Sequence, residues 1–562
     1  MAEFTPFDIL SSPLEGTNLI EASAGTGKTY TVAGLFLRLV LEKGFAVSEI
    51  LVVTFTQAAT EELKDRIRSR LREALAAFTR GETGDPFLGV LLQRHGREAL
   101  SLSRLREALY DFDRAAVFTI HGFCRRMLSE KAFESRSLFD TELVTDLEDL
   151  KREIIEDFWR RRFYGASSLF VRYALSRGFS PEGLLAMIGP WASWPGVRII
   201  PEAAPPDPLP LEEDFRDALD EVRRIWQGER DDVLRILDAH EGLNRNLYRR
   251  ERIPEWAEGM DAFLALESPT PIFFKGFEKL TLGEILRAVK KGHDPPTHPL
   301  FGSCDRLRSA GDVLAEVYEQ HLISLKRSLY GYLDEELDRR KRAGNIQSFD
   351  DLLIRLEGAL RGRGGERLSR AVGGIFKAAL IDEFQDTDPV QYAIFKRIFG
   401  EAGSILFLIG DPKQAIYSFR GADIFAYMEA SRDVERRYSL EENWRAEPAL
   451  IEAVNTLFSA RARPFLFEPI PFHPTAPAPR DHERLRIEGD PSAPFSIWFM
   501  DGSRYAEPGK PITRTRARET IRRAVAAEIS RLLFLARAGG ALIGDRPVRE
   551  GDIAVLVRTH VE

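Results

Sequence analysis

The sequence predicts an α/β protein in which a parallel sheet is wound with helices and interrupted by a large helical insertion. Three observations predict it. Short apolar runs recur at Leu19-Ile20, Glu49 to Thr56, Ala115 to Ile120, Ala378 to Glu383 and Ile405 to Asp411. The first of them alternate with stretches whose apolar residues fall at helical spacing, and strand, helix, strand in that order means parallel pairing with right-handed crossovers. From about Ser129 to Gly344 the pattern changes to long amphipathic helices, such as Leu150 to Phe163, broken by proline-rich loops. A chain of 562 residues is too long for one core, and length alone suggests about three or four domains.

The first run ends in Ala22-Ser23-Ala24-Gly25-Thr26-Gly27-Lys28-Thr29 and continues as a helix toward Lys43-Gly44, with apolar residues at Val32, Leu35, Phe36, Leu39 and Val40 and Gly44 as its C-cap. This spacing fits a phosphate-binding loop, with Ala22 where a first glycine is usual. Amides from Ala24 to Lys28 cradle phosphate oxygens at the helix N-terminus, Lys28 reaches the β- and γ-phosphates, and the Thr29 hydroxyl takes Mg²⁺. The sequence therefore reads as a phosphate-loop NTPase that binds ATP.

Composition excludes several classes. Hydrophobic residues make up 44% and charged residues 30%, as in ordinary water-soluble proteins. No run approaches the roughly 18 apolar residues of a membrane span, and Met1-Ala2-Glu3-Phe4 lacks the basic start of a signal peptide, so a cytoplasmic location is expected. The two cysteines, Cys124 and Cys304, lie far apart without metal-ligand spacing. A net charge of −8 means that any nucleic-acid contact comes from local patches.

After the Glu49 to Thr56 strand, Ala59, Leu63, Ile67 and Leu71 form an apolar stripe, while Lys64, Arg66, Arg68, Arg70 and Arg72 charge the other faces. Those cations either solvate the helix or hold phosphates. In the insertion the basic clusters read as surface charge, and His293 and His298 on a proline-rich loop are not expected to be ligands. Downstream, the strand from Ala378 delivers Asp382 and Glu383, one placed to hold Mg²⁺ through water and the other to polarise the water that attacks the γ-phosphate. The strand from Ile405 leads to Gln414, which can sense a terminal phosphate, and to Tyr417 and Phe419, whose faces can stack on bases.

Taken together, Ala22 to Thr29, Thr54-Phe55-Thr56, Thr119-Ile120-His121, Asp382 to Asp386, Gly410 to Ala422 and Asn443-Trp444-Arg445 resemble the motifs of UvrD-type superfamily 1 DNA helicases. The wording of Leu19 to Thr29, Val117 to Cys124 and Ile409 to Tyr417 is similar to the RecB subunits of RecBCD-type exodeoxyribonuclease V, and the resemblance runs through essentially the whole chain. It implies nucleotide and catalytic roles for Lys28, Thr29, Asp382, Glu383 and Gln414, an arginine finger at Arg445 and an adenine-packing aromatic at Trp444. It also implies a single-strand track lined by Thr54, Phe55, Thr119, His121, Tyr417 and Phe419. Where the family carries a glutamine that reads adenine, this chain has Glu15, a carboxylate that can only accept.

The resemblance makes the sheet a RecA-like motor core in two parts, residues 1–128 and 345–437, around an insertion at 129–344. Residues 438–562 then open a second RecA-like core, with strands expected at Phe495 to Met500 and Asp552 to Arg558. Later helicase motifs and a nuclease domain are absent from the sequence, so it reads as the N-terminal part of a longer protein, able to bind ATP and nearly inactive alone. The implied activity is an ATP-dependent DNA helicase or translocase that works on duplex ends in recombinational repair, with single- and double-stranded DNA and RecC-like and RecD-like subunits as partners. The alternatives are another UvrD- or AddA-type repair helicase, or a non-motor ATP switch that scaffolds DNA.

Overall fold

The structure is a computed structural model that describes residues 4–96, 98–131, 141–188, 199–201, 205–400, 404–417, 422–480, 484–489, 495–506 and 510–559. The chain divides into two compact units, one formed by 1–139 with 352–562 and the other by Asp140–Asp351.

The first unit is built on seven strands: β1 (Thr5–Pro6), β2 (Gly16–Ala22), β3 (Ile50–Thr54), β4 (Ala116–Thr119), β5 (Ala378–Ile381), β6 (Ile405–Gly410) and β7 (Arg436–Leu440). They lie in the order β1-β7-β2-β6-β5-β3-β4 and every pair is parallel. β3, β5 and β6 are buried along their whole length, which is why they read as unbroken Ile/Leu/Val/Ala/Phe runs rather than as alternation. Helix α1 (Lys28–Arg38) extends through a π turn at Leu39–Lys43 and stops at Gly44, whose φ of 67° suits a residue without Cβ. α1 packs Leu35 and Phe36 into one core with Val52, Phe407 and the Leu63, Ile67 and Leu71 stripe of α2 (Gln57–Arg80). Each such side chain contributes about 1.5–3 kcal/mol through burial. α3 (Ile120–Glu130) follows β4 directly, its N-terminus capped by the Thr119 hydroxyl. Parallel pairing brings the carboxyl ends of β2 to β6 to one edge, where ligands of such sheets bind.

Three of the α2 arginines are held by carboxylates of the protein itself. Arg66 pairs with Glu62 at 3.0 Å and Arg68 with Asp113 at 2.6 Å. Arg70 is buried, ion-paired with Asp85 at 2.6 Å and donating to the Tyr30 hydroxyl at 2.9 Å.

The region after β7 differs from expectation. β7 pairs with β2, so the boundary expected at residue 438 falls inside a strand of the first sheet, and that sheet runs to Leu440. Neither 495–500 nor 553–558 forms a strand. Both are apolar runs, but a strand needs a ladder partner, and neither finds one among the described residues; Phe499 is 90% and Leu556 98% exposed. The strands that do form there are a short parallel pair, Glu442–Asn443 with Ala476–Pro477, and a small antiparallel sheet of Leu485–Ile487, Ala541–Ile543 and Arg546–Pro547; the helix Pro448–Ser459 lies between the members of the pair, and the helix Arg514–Arg537 connects the first two strands of the sheet.

The second unit is helical. α4 (Glu148–Phe163), α5 (Leu209–Ala239) and the 46-residue α6 (Pro299–Gly344) enclose a core that includes Phe158, Phe215, Trp226, Phe277, Phe301 and Tyr318. Pro299 opens α6, and His298 caps it by accepting from the Leu300 amide while its other ring nitrogen meets Glu229 at 3.0 Å. The chain re-enters the first unit at Leu352, and there α7 (Pro389–Phe399) connects β5 to β6. No helix among the described residues is long and apolar enough to cross a membrane.

Candidate active site

The phosphate loop follows β2. Gly25 and Gly27 sit at φ 82° and 91°, conformations that other residues adopt at a cost of about 1–2 kcal/mol. Thr26 folds back on the loop, its hydroxyl and amide both donating to the Ser23 carbonyl. The Gly27 cap offers no side-chain acceptor to the first turn of α1, and that turn holds no acidic residue, so its amides face outward at the positive end of a helix dipole. Ala22 at the end of β2 is fully buried and Thr29 lies in the first turn of α1, beside Lys28.

The carboxylates arrive from β5. Asp382 leaves the strand with its amide bonded to Val53 of β3, and Glu383 turns at φ 50°, a left-handed conformation shared among the described non-glycine residues only by Asn345 and Leu466. That turn brings Glu383 to 2.7 Å from the Lys28 ammonium. Strained backbone of this kind clusters at functional sites. Burial and then the neighbouring Glu383 charge push the Asp382 carboxyl up to about 6, and the same two causes push Asp386 up to about 6. A divalent cation would relieve that crowding. Among the described residues no group of three or more His, Cys, Asp or Glu is placed to hold a metal by itself. Thr29, in the first turn of α1, and Asp382, at the end of β5, are oxygen donors, the ligand type that Mg²⁺ takes together with phosphates and water.

Gln385 is a connection that sequence reasoning quoted but gave no role. Its amide nitrogen donates to Glu383 at 2.7 Å and its carbonyl oxygen accepts from the Asp411 amide at 2.8 Å, joining β5 to β6. Gly410 permits the approach, since a Cβ there would stand 2.6 Å from the Gln385 oxygen. Gln414 follows on a short 3₁₀ turn, Pro412–Gln414, with its side-chain nitrogen on the Asp411 carboxylate at 2.7 Å.

The third side of the loop is closed by Asn443, Trp444 and Arg445. The Trp444 amide donates to the Gly25 carbonyl at 2.7 Å and the Asn443 side chain to the Ala24 carbonyl at 3.0 Å. A Cβ on Gly25 would stand 2.7 Å from Arg445 Cβ, so this glycine is required by contact as well as by φ. Asn443 Oδ1 accepts from the amides of Arg445 and Ala446, fixing the turn that presents both the exposed Trp444 ring and the Arg445 side chain. Arg445 and Lys413 share a cavity of about 410 Å³ with Ser23 and Ala24.

A second group lies at the neighbouring strand ends. Thr54 and Thr119 are partners in the β3–β4 register, and Phe55, next in the chain, stacks on Tyr417 with ring centroids 5.8 Å apart and planes at 23°. His121 stands half-buried in the first turn of α3. The two threonine hydroxyls are already used: Thr54 meets Thr60 at 2.6 Å and Thr119 caps α3. Phe419 lies outside the described residues.

Glu15 is not brought to the loop. It precedes the first residue of β2, seven residues before Ala22, which at strand rise is about 23 Å from the loop end. Its carboxylate is ion-paired with Arg436 at the start of β7, 2.9 Å away. The length of β2 lies between Glu15 and the phosphate loop.

Residues 7–174 and 309–435 match the UvrD/REP helicase N-terminal domain, more than half of the chain. The chain belongs to the UvrD/REP helicase family. Within the family it is similar to curated RecBCD enzyme RecB subunits. Identity is 38% to that of Escherichia coli K12, over 99% of this chain and 47% of the relative. It is 34% to that of Haemophilus influenzae, over 90% and 45%, and 30% to that of Mycobacterium tuberculosis H37Rv, over 99% and 39%. The chain thus spans about half or less of the length of these relatives. In this UvrD/REP-type core the loop, the two carboxylates and Gln414 stand at the carboxyl ends of β2, β5 and β6, with the Asn443 to Arg445 turn folded onto the loop.

Proposed function

We propose that the full-length protein is an ATP-dependent DNA helicase and translocase subunit of a RecBCD-like helicase–nuclease, acting on double-stranded DNA ends in recombinational repair with RecC-like and RecD-like partners. The observation that carries this reading is the convergence on one loop of Lys28, Glu383 and the Asn443 to Arg445 turn, beside an aromatic stack at the next strand ends. Lys28 and the loop amides bind the phosphates. A γ-phosphate competes with Glu383 for the Lys28 ammonium, and Glu383, once released, can orient the attacking water. Mg²⁺ held by Thr29 and Asp382 would neutralise charge on the phosphate oxygens. Gln414 senses the terminal phosphate, and Arg445 stabilises charge that develops on it. Trp444 packs on the adenine without help from Glu15. Single-stranded DNA runs over Phe55, Tyr417, Phe419, Thr119 and His121, so that base stacking registers each step.

The test is ATP hydrolysis by the full-length protein with and without single-stranded DNA. Strong stimulation, lost in Lys28→Ala, is the expected outcome. DNA binding without DNA-stimulated turnover would favour a non-motor switch instead.

A further inference from the structure

The polar contacts around the phosphate loop form a chain that runs from one end of the loop to the other, and one member of it, Lys413, has no part in the proposed ATP hydrolysis. Lys413 lies between Pro412 and Gln414, and its ammonium is ion-paired with Glu21 of β2 and, at 2.9 Å, with Asp411. All three side chains are almost completely withdrawn from solvent, the lysine at 10% exposure and the carboxylates at 2% and 3%. Burial opposes the ammonium charge, but the two carboxylates outweigh it and hold the lysine protonated. From Asp411 the contacts continue through its own amide to Gln385, from Gln385 to Glu383, and from Glu383 to Lys28. They thus begin one residue before Ala22, at one end of the phosphate loop, and reach Lys28 at the other.

Asp411 is the branch point. One oxygen, Oδ1, takes Lys413, by both its ammonium and its backbone amide, while Oδ2 takes the side-chain nitrogen of Gln414. Gln414 has two side-chain N–H groups, and the one held by Asp411 fixes where the other points, so reaching a γ-phosphate depends on how readily that bond gives. How firmly Asp411 retains Gln414 depends on the charge left on its carboxylate, and that charge is set by Lys413.

We propose that Lys413 is a positioning residue for ATP hydrolysis, anchored by Glu21 on the phosphate-loop strand, which orients Asp411 and weakens its hold on Gln414 so that Gln414 can transfer to the γ-phosphate. This rests on the reading of Gln414 as the phosphate sensor. Lys413 touches neither nucleotide nor DNA in this account. Its removal slows the step that needs Gln414 and leaves ATP binding, which rests on Lys28 and the loop amides, unchanged.

Lys413→Met alone leaves Glu21 and Asp411 buried without a cation, which is strongly destabilising. Glu21→Gln/Lys413→Met removes one charge of each sign, so the cluster keeps its net charge of −1 while Asp411 loses its lysine. Both are measured in the full-length protein, with Gln414→Ala and the triple variant Glu21→Gln/Lys413→Met/Gln414→Ala. The expected result is that Glu21→Gln/Lys413→Met lowers kcat for DNA-stimulated ATP hydrolysis about tenfold with KM for ATP within twofold of wild type. The triple variant should be no slower than Gln414→Ala alone, since a residue acting through Gln414 has nothing left to position. Losses that multiply in the triple variant, or a parallel rise in KM, overturn the proposal. So does wild-type kcat in Glu21→Gln/Lys413→Met when Gln414→Ala is slow, and there the sensor reading survives. Wild-type kcat in Gln414→Ala removes the sensor reading itself, and the proposal with it.

Discussion

Among the described residues each unit buries one glutamate, and the two are treated differently. Glu212, in the helical unit, is wholly buried, and both of its oxygens are used: one accepts from the hydroxyls of Ser167 and Tyr318, the other pairs with Arg216 at 2.7 Å. Glu21, in the sheet unit, pairs with Lys413 through one oxygen while the other has no partner among the described residues. Asp386 and Tyr427 in the same unit also keep a buried oxygen without a partner. The helical unit has an orphan of its own in the Tyr332 hydroxyl, so the contrast is between the two glutamates rather than the two units: Glu212 is a buried charge fully spent on packing partners, whereas Glu21 keeps an oxygen that packing alone does not explain. The difference separates residues that hold the fold from residues that hold a site.

The sharpest way to break this comparison is to exchange the expected phenotypes. Glu383→Gln in the full-length protein should lower DNA-stimulated kcat by about 10²–10⁴, the usual contribution of a positioned acid–base group, without loss of thermal stability. Tyr417→Ala and Phe55→Ala should each weaken single-stranded DNA binding by about 1–3 kcal/mol with little sequence preference. Unchanged binding with earlier melting would make the stacked pair a packing contact. Glu212→Leu should do the reverse of Glu383→Gln. It leaves the buried Tyr318 hydroxyl without its acceptor, at about 1–3 kcal/mol of stability, while kcat per folded molecule stays at wild type. A loss of kcat in folded Glu212→Leu would show that the helical unit takes part in turnover.

The sequence made the sheet and the loop legible because both are local. An unbroken Ile/Leu/Val run marks a strand buried on two faces, and Gly25 and Gly27 announce the left-handed positions the loop needs. The Lys413–Glu21 pair spans 392 positions and has no local signature. Arg70 shows the same limit from the other side: on the helical wheel it is one of several surface cations, and only the fold sets it against Asp85 and Tyr30. The runs at 495–500 and 553–558 mislead because apolar β-formers report the taste for a strand and not the presence of a neighbour. Glu15 misleads because motif spacing counts residues, whereas reaching a nucleotide depends on which end of the strand those residues occupy.

The smallest expected effect concerns pH. Asp382 and Asp386 titrate near 6 in the fold and at 3.8 when unfolded, because burial and the adjacent Glu383 disfavour their ionised forms. The folded chain therefore binds protons more tightly than the unfolded chain does. The stability this lends is fully present below 3.8 and is lost as pH rises through about 6. Asp382→Asn cannot ionise, so its melting temperature relative to wild type should climb between pH 4 and 6.5 and then level off, the variant gaining a few degrees by pH 8. Glu212→Leu, which removes a group outside this cluster, should shift by the same amount at pH 6.5 and pH 8. Mg²⁺-ATP should reverse the order, stabilising wild type more at pH 8 than at pH 5.5, since a cation favours the ionised carboxylate, and doing far less for Asp382→Asn. A difference between Asp382→Asn and wild type that stays constant from pH 4 to pH 8 would show that Asp382 is ionised without strain in the fold, and that the crowding read at the end of β5 is not there.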